Sequence, residues 1–225
     1  MPIIGRIRDG ATAPSATELE EVMAFLAALT LRVPGRLEWI DDFMRKPIEA
    51  VCRQLLDDDQ PLQMEDPRLR EQMKDWFDQG LIRVKIKQNA RLGMMVAGLE
   101  TVMRLLALRH WTVLRVEPNA GDLVCTDHPV VLEWIKPVPG GMSPGFGLLN
   151  TAVFVPLSPE VALLGLWNAE PAIRTLSATQ VAFWNSGLLG YVHRFVFSRG
   201  DFNALHKSGA VDSREDVMRR WSNWG

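Results

Sequence analysis

Cysteine is scarce in this chain: Cys52 and Cys125 are the only two in 225 residues. That excludes a disulfide framework and leads us to expect a reducing, cytoplasmic setting. Charge of one sign is missing as well. The formal net charge is −2, so no global field draws in nucleic acid or anionic lipid. Long apolar runs are absent; the longest, Val22 to Leu29, is far too short to cross a bilayer. The opening stretch "MPIIGRIRDGATAPS" has no apolar core of a secretion signal. No G-x-x-x-x-G-K-[ST] loop, G-x-G-x-x-G spacing or G-x-S-x-G elbow occurs. No internal repeat is visible. Neither a membrane nor a nucleic-acid partner is therefore expected.

What is present reads as a globular chain. The hydrophobic share is 47% and the charged share 23%, enough to build a sizeable core. Eight tryptophans are many for this length, and their large contact area marks core and interface. The first half carries a helical period. "TELEEVMAFLAALTLRV" opens with Thr17 and Glu20 at capping-box spacing and ends before Pro34 and Gly35. "RLEWIDDFMRKPIEAVCRQLL" continues it, with Pro47 expected to kink or split the helix. Asp66 and Pro67 read as N-cap and first-turn proline of a third helix that Gly80 stops. "LIRVKIKQ" alternates like a strand or an extended linker, and a fourth helix is expected over roughly 89–109.

After Trp111 the period falls to two. "WTVLRVEP" and "DLVCT" read as strands joined at the turn signal "NAGD", and "VVLEW" as a third. "IKPVPGGMSPGFGLLN" is a Pro- and Gly-rich surface loop able to fold over something. "TAVFVPLSP" and "VALLGLW" read as a hairpin. Ser177 and Gln180 form a second capping box ahead of a helix, and "FVFSRG" reads as a last short strand. Helices first, then an antiparallel sheet with a helix inserted late, give an α+β fold: a helical layer packed on a small, mainly antiparallel sheet. We expect one domain over 1–225: a flexible 1–16, a mainly helical 17–110, a sheet plus helix over 111–200, and terminal helices over 201–225.

"HWTVLRVEPNAGDLVCTDHPVVL", then "FVPLSP", then "NSGLLGYVHRFVFS" resembles the bacterial family known as domain of unknown function 4238. Its members typically show a strand ending in Ser/Thr-Asp-x-Pro, then Pro-Leu-Ser-Pro, then a late helix with an Asn and an Arg. The matching positions are Thr126, Asp127 and Pro129; Pro156, Leu157, Ser158 and Pro159; Asn185 and Arg194. An upstream Arg-x-Pro is matched by Arg32 and Pro34. The likeness covers roughly 17–201. Family members usually begin with His-His-x-Val-Pro and Tyr-Leu-Arg, whereas the first histidine here is His110. If the paired histidines serve an active site, this chain is expected to be inactive. The resemblance implies a fold but carries no reaction, cofactor or substrate.

The residues admit two readings at each candidate position. Asp127 before His128-Pro129 is well placed to accept amides of a turn, or to act as a base or ligand with His128 as its titrating partner. Cys125 shares its strand face with Asp127, but too few Cys and His lie nearby for a structural zinc site, so no metal is assigned. Arg32 suits a helix C-terminus through the dipole, or clamps a carboxylate. Asn185 within an apolar helix wants a partner if buried. The sharper reading has Asn185, His193 and Arg194 lining a polar cleft with Asp127. "RVKIKQNAR" has no interleaved aromatics and reads as a solvated face. Trp221 and Trp224 near the end offer self-association. Two functions follow. One is a ligand- or protein-binding domain without complete catalytic machinery. The other is a hydrolase-like enzyme with Asp127, His128 or His193 as catalytic groups and Arg32 or Arg194, with Asn185, holding an anionic substrate. The ligand itself, small molecule or protein, and any cofactor stay unknown at this level.

Overall fold

A computed structural model describes residues 5–7, 16–57, 67–136, 138, 142–170, 172–206 and 208–222. The fold is α+β, in two compact units. One comprises residues 1–33 and 98–225, the other residues 34–97.

The larger unit is built on a five-stranded sheet in the order β3-β4-β5-β1-β6. Its strands are β1 (His110–Val116), β3 (Val131–Trp134), β4 (Thr151–Ser158), β5 (Val161–Leu166) and β6 (Ile173–Leu176). Neighbours are antiparallel except β1 and β6, which are parallel. Six consecutive residues of β4 are buried, because both sheet faces are covered. Alternation sorts its side chains: Val153 and Val155 face one core, Phe154 the other.

The first core joins that face to α1 (Ala16–Leu31) through Val22, Met23, Leu26 and Ala27, and to Leu106 of α4 (Gln88–Ala107). Residues 5–7 form a helical turn whose Ile7 is buried in the same cluster. Arg115 Nη2 donates to the Ile7 carbonyl at 2.8 Å. The rest of the segment expected to be flexible, 1–4 and 8–15, lies outside the described residues. On the opposite face, Leu114, Val131, Phe154 and Ala162 pack against Val181 and Leu188 of α5 (Ala178–Gly190). Phe154 also stacks on Trp184, with ring centroids 4.2 Å apart.

The smaller unit contains α2 (Pro34–Asp57), α3 (Pro67–Asp78) and the first turns of α4. Arg91 forks onto Asp41, with Nε to Oδ1 at 2.7 Å. Arg53 lies over the Phe77 ring at 5.5 Å. α3 ends in a Schellman arrangement. Leu81 N–H reaches Trp76 O at 2.8 Å and Gly80 N–H reaches Phe77 O at 3.1 Å. Gly80 has φ 68°, a conformation open to glycine, which is why the helix stops there.

Several local expectations need correcting. α2 runs through Pro47 as one helix, so the loss of a single amide donor does not split it. α1 begins at Ala16, which puts Thr17 inside the first turn. Residues 83–87 carry no assigned strand, so the strand reading of that stretch does not hold. β1 does not pair with the "DLVCT" segment; it pairs with β5 and β6, while β2 (Cys125–Thr126) pairs with β7 (Val196–Phe197). The terminal stretch is not all helix. β8 (Asn203–Leu205) and β9 (Val211–Ser213) form a hairpin before α6 (Arg214–Ser222). Asp66, Trp224 and the Trp221 side chain, given roles above, lie outside the described residues. Among the described residues, no helix is long and apolar enough to cross a membrane.

Candidate functional site

The Thr-Asp-x-Pro stretch begins at the last residue of β2, a two-residue strand paired with β7. Thr126, 3% exposed, folds the chain back on itself. Its Oγ1 donates to His128 O at 2.8 Å and accepts His128 N–H at 3.1 Å. That turn presents Asp127 to the segment after α5. Oδ1 accepts the His193 amide at 3.0 Å, and Oδ2 accepts the Arg194 amide at 2.7 Å. Asp127 N–H in turn donates to Phe195 O at 3.2 Å. Burial alone pushes this carboxyl up; the amides of His193, Arg194 and Phe195 outweigh it and hold the group below its ordinary value.

Asn185 is fully buried in α5. Its Oδ1 accepts Val124 N–H at 3.0 Å. Its Nδ2 donates to Asp122 O and to Asn203 O, each at 2.9 Å. One amide therefore ties together the strand before Asp127, the helix and the terminal hairpin. Ser186 beside it accepts Leu205 N–H at 2.6 Å. The helix start is set as its sequence suggests: Ser177 N–H donates to Gln180 Oε1 at 3.0 Å.

The structure thus brings Asp127 to His193 and Arg194 through backbone, not side chain. The His193 and Arg194 side chains are exposed. Asn185 serves a separate set of partners. The half-buried His128 ring meets Tyr191 edge-on at 5.2 Å, and Tyr191 OH donates to Leu132 O at 3.0 Å. Arg32 follows the end of α1, its N–H bonded to Ala28 O at 3.1 Å and its side chain exposed. Among the described residues no three His, Cys, Asp or Glu side chains are grouped to hold a metal.

Beside these staples lies a cavity of about 270 Å³, lined by residues 123–125, 156–159 and 197–199. Its walls are mainly apolar. Cys125 enters it as a thiol that burial pushes above its ordinary pKa, with a weak bond to Thr126 O offsetting only part of that. Arg199 closes one side. Its Nη2 meets Asp122 Oδ1 at 3.0 Å, and its Nη1 pairs with Glu160. Those carboxylates hold the guanidinium above its ordinary pKa.

Three notable groups were not singled out from sequence. Glu133 faces α5 from β3, and a Cβ on Gly187 would stand 3.7 Å from its Oε1. Burial pushes its carboxyl up. Alternation along "VVLEW" puts it on the same face as buried Val131, a signal that was readable. Arg199 joins Asp122 to Glu160 across long stretches of chain, which no local pattern announces. Arg109, one residue before β1, is 3% exposed. Nothing in its neighbouring residues marks it as buried.

The architecture is that of an α+β fold in which two short motifs, Thr-Asp-x-Pro and the late Asn, staple backbone segments around a small apolar cavity. A family model described as a protein of unknown function, DUF4238, matches residues 1–202, and the chain belongs to that family. No curated protein and no solved structure matches the chain.

Proposed function

We propose that this domain binds a small, mainly apolar ligand in the cavity beside β2 and β7, and that it does so without catalysing a reaction on it. The observation that carries this reading is the cavity's framing. Its three lining segments come from the Thr-Asp-x-Pro approach, the Pro-Leu-Ser-Pro stretch and the strand after Arg194. The Asp127 and Asn185 bonds fix the first of these to the rest. A volume near 270 Å³ is at the small end for ligand pockets, which favours a compact molecule. Phe197, 58% exposed, stands at the wall with Phe195 6.2 Å away, offering an aromatic rim.

The hydrolase-like reading draws less support. A general base works best with a pKa near the working pH, whereas Asp127 is held low with both oxygens on amides. Cys125 stays a thiol, a weak nucleophile. Cys52 and Cys125 are both free, in keeping with the reducing, cytoplasmic setting we propose.

The test is a screen of small apolar fragments by amide chemical shifts on the whole protein. Binders should shift residues 124, 157 and 198, and Phe197→Ala should weaken them while leaving the fold intact, since that ring is largely solvent-facing. Shifts that gather elsewhere, or binding indifferent to Phe197→Ala, would overturn the assignment.

A further inference from the structure

The apolar cavity ends where a second hollow begins. The second, of about 450 Å³, is lined by residues 116–119, 121–122, 160, 199 and 201. Both are built on the same three stretches of chain. Residues 123–125, 156–159 and 197–199 line the first; residues 121–122, 160 and 199 with 201 carry those stretches into the second. Arg199 is the residue common to both linings. The chemistry changes abruptly at that boundary. The first hollow is lined mainly by apolar residues, whereas Glu117, Asp122, Glu160 and Asp201 belong to the lining of the second.

The Arg199 guanidinium lies across the junction. Its Nη2 donates to Asp122 Oδ1 at 3.0 Å, and its Nη1 pairs with Glu160. Asp122 precedes Leu123 on one stretch and Glu160 follows Pro159 on the next. One side chain therefore spans all three stretches at the level where apolar lining gives way to acidic. The main chain is tied at the same level: Leu123 N–H donates to Pro159 O at 2.9 Å, and Asp122 N–H to Asp201 O at 3.4 Å. Passage at the junction is thus governed by a side chain and not by the backbone. The Arg199 side chain is 61% exposed. Exposed ion pairs add little net stability, so its bridging position is not explained by holding the fold. An apolar chain growing past the first hollow meets a charged group and must pull it from its partners. Rejecting longer molecules at that cost is specificity by exclusion.

We propose that Arg199 sets the length of ligand that the apolar cavity accepts, as the end wall between that cavity and the acidic hollow. This role rests on ligand binding in the apolar cavity and deepens it: the ligand is a short apolar molecule whose far end stops at the guanidinium. Removing the arginine joins the two hollows into one longer site, apolar at one end and acidic at the other.

The probes are straight-chain alcohols from ethanol to octanol, titrated into the whole protein and followed by amide chemical shifts. In the wild type, affinity should climb with chain length to a limit and fall beyond it, with shifts at residues 124, 157 and 198 and none at 119 and 121. Arg199→Ala should move the limit to longer alcohols and carry the shifts on to 119 and 121. Two newly accommodated methylenes should tighten the longer alcohols roughly tenfold over wild type. Glu160→Gln frees one end of the guanidinium and leaves the apolar lining intact. It should move the limit the same way by less, and it decides the matter if Arg199→Ala does not fold. Wild-type binding at 124, 157 and 198 with the same limit in the folded variants overturns the end-wall role and leaves ligand binding standing. No shift at those positions with any alcohol removes ligand binding itself, and the end-wall role with it.

Discussion

Asp127 and Arg194 meet as carboxylate and backbone amide, 2.7 Å apart, and not as an ion pair. The exposed guanidinium is not part of that bond, so any residue but proline at 194 can preserve it. What matters is the acid. Thr126 bends the chain to aim it, and the segment after α5 supplies the donors.

Asp127→Asn should therefore destabilise the fold, because one amide N–H would then face an NH2 group. A loss of about 1–3 kcal/mol is expected for a charged acceptor. Since the folded carboxyl lies below its ordinary value, its contribution is complete above the unfolded pKa and fades as pH falls through the folded one. Urea melts at several pH values should show the gap between wild type and variant at neutrality closing in acid. A gap independent of pH would show that the charge is not what holds the turn.

Asn185→Ala removes one acceptor and two donated bonds from a fully buried position. The Val124 amide and the carbonyls of Asp122 and Asn203 would be left unpaired, at a cost of about 3 kcal/mol or more. Hydrogen exchange offers a sharper reading than melting alone: Val124 and the β8–β9 hairpin should lose protection together. Loss confined to α5 would argue that the three segments are not tied through this side chain.

Glu133 has the opposite pH behaviour. Burial raises its folded pKa, so at pH above that value the ionised group opposes folding. The penalty lifts as pH falls through the folded pKa towards the unfolded one. Glu133→Gln should accordingly raise the melting temperature at neutral pH and confer little in acid. Tyr191, whose phenol is pushed up first by burial and then by the Glu133 charge, should titrate lower in the variant. Ultraviolet titration of this single tyrosine measures that shift directly.

Gly165 pairs across the sheet with Trp111. A Cβ there would stand 2.9 Å from Trp111 Cη2, closer than carbon atoms tolerate. Gly165→Ala should cost about 1–3 kcal/mol by overpacking. Trp111→Leu in the same chain should recover part of it, and independent, additive losses in the double variant would contradict a direct clash.

The local rules were legible where the structure is local. Helical spacing announced α1 to α4, and Ser177 with Gln180 announced α5. The β4–β5 hairpin followed from its turn. The errors concern distant pairing. "IRTL" is short but carries β-branched Ile173 and Thr175; it becomes β6 by pairing in parallel with β1, a distant partner that no local pattern names. "NAL" and "VDS" pair as a hairpin that Ser186 and Asn185 of α5 dock, contacts that a reading of 201–225 as terminal helices could not include. In the candidate site, Asp127 was readable as a turn-holder from Asx chemistry. Its donors at 193 and 194 lie far along the chain, and nothing beside Arg109 in the sequence set it apart as buried.

Pro156 falls two residues past the last position of β4 that pairs with β3, next to the register shift at Ser158. A proline cannot offer an amide to a strand extending alongside it. The vacancy where β3 gives out is consequently written into the main chain, with Leu123, Val124 and Phe197 arranged around it. Side chains around the hollow can therefore be exchanged without letting β3 extend into it.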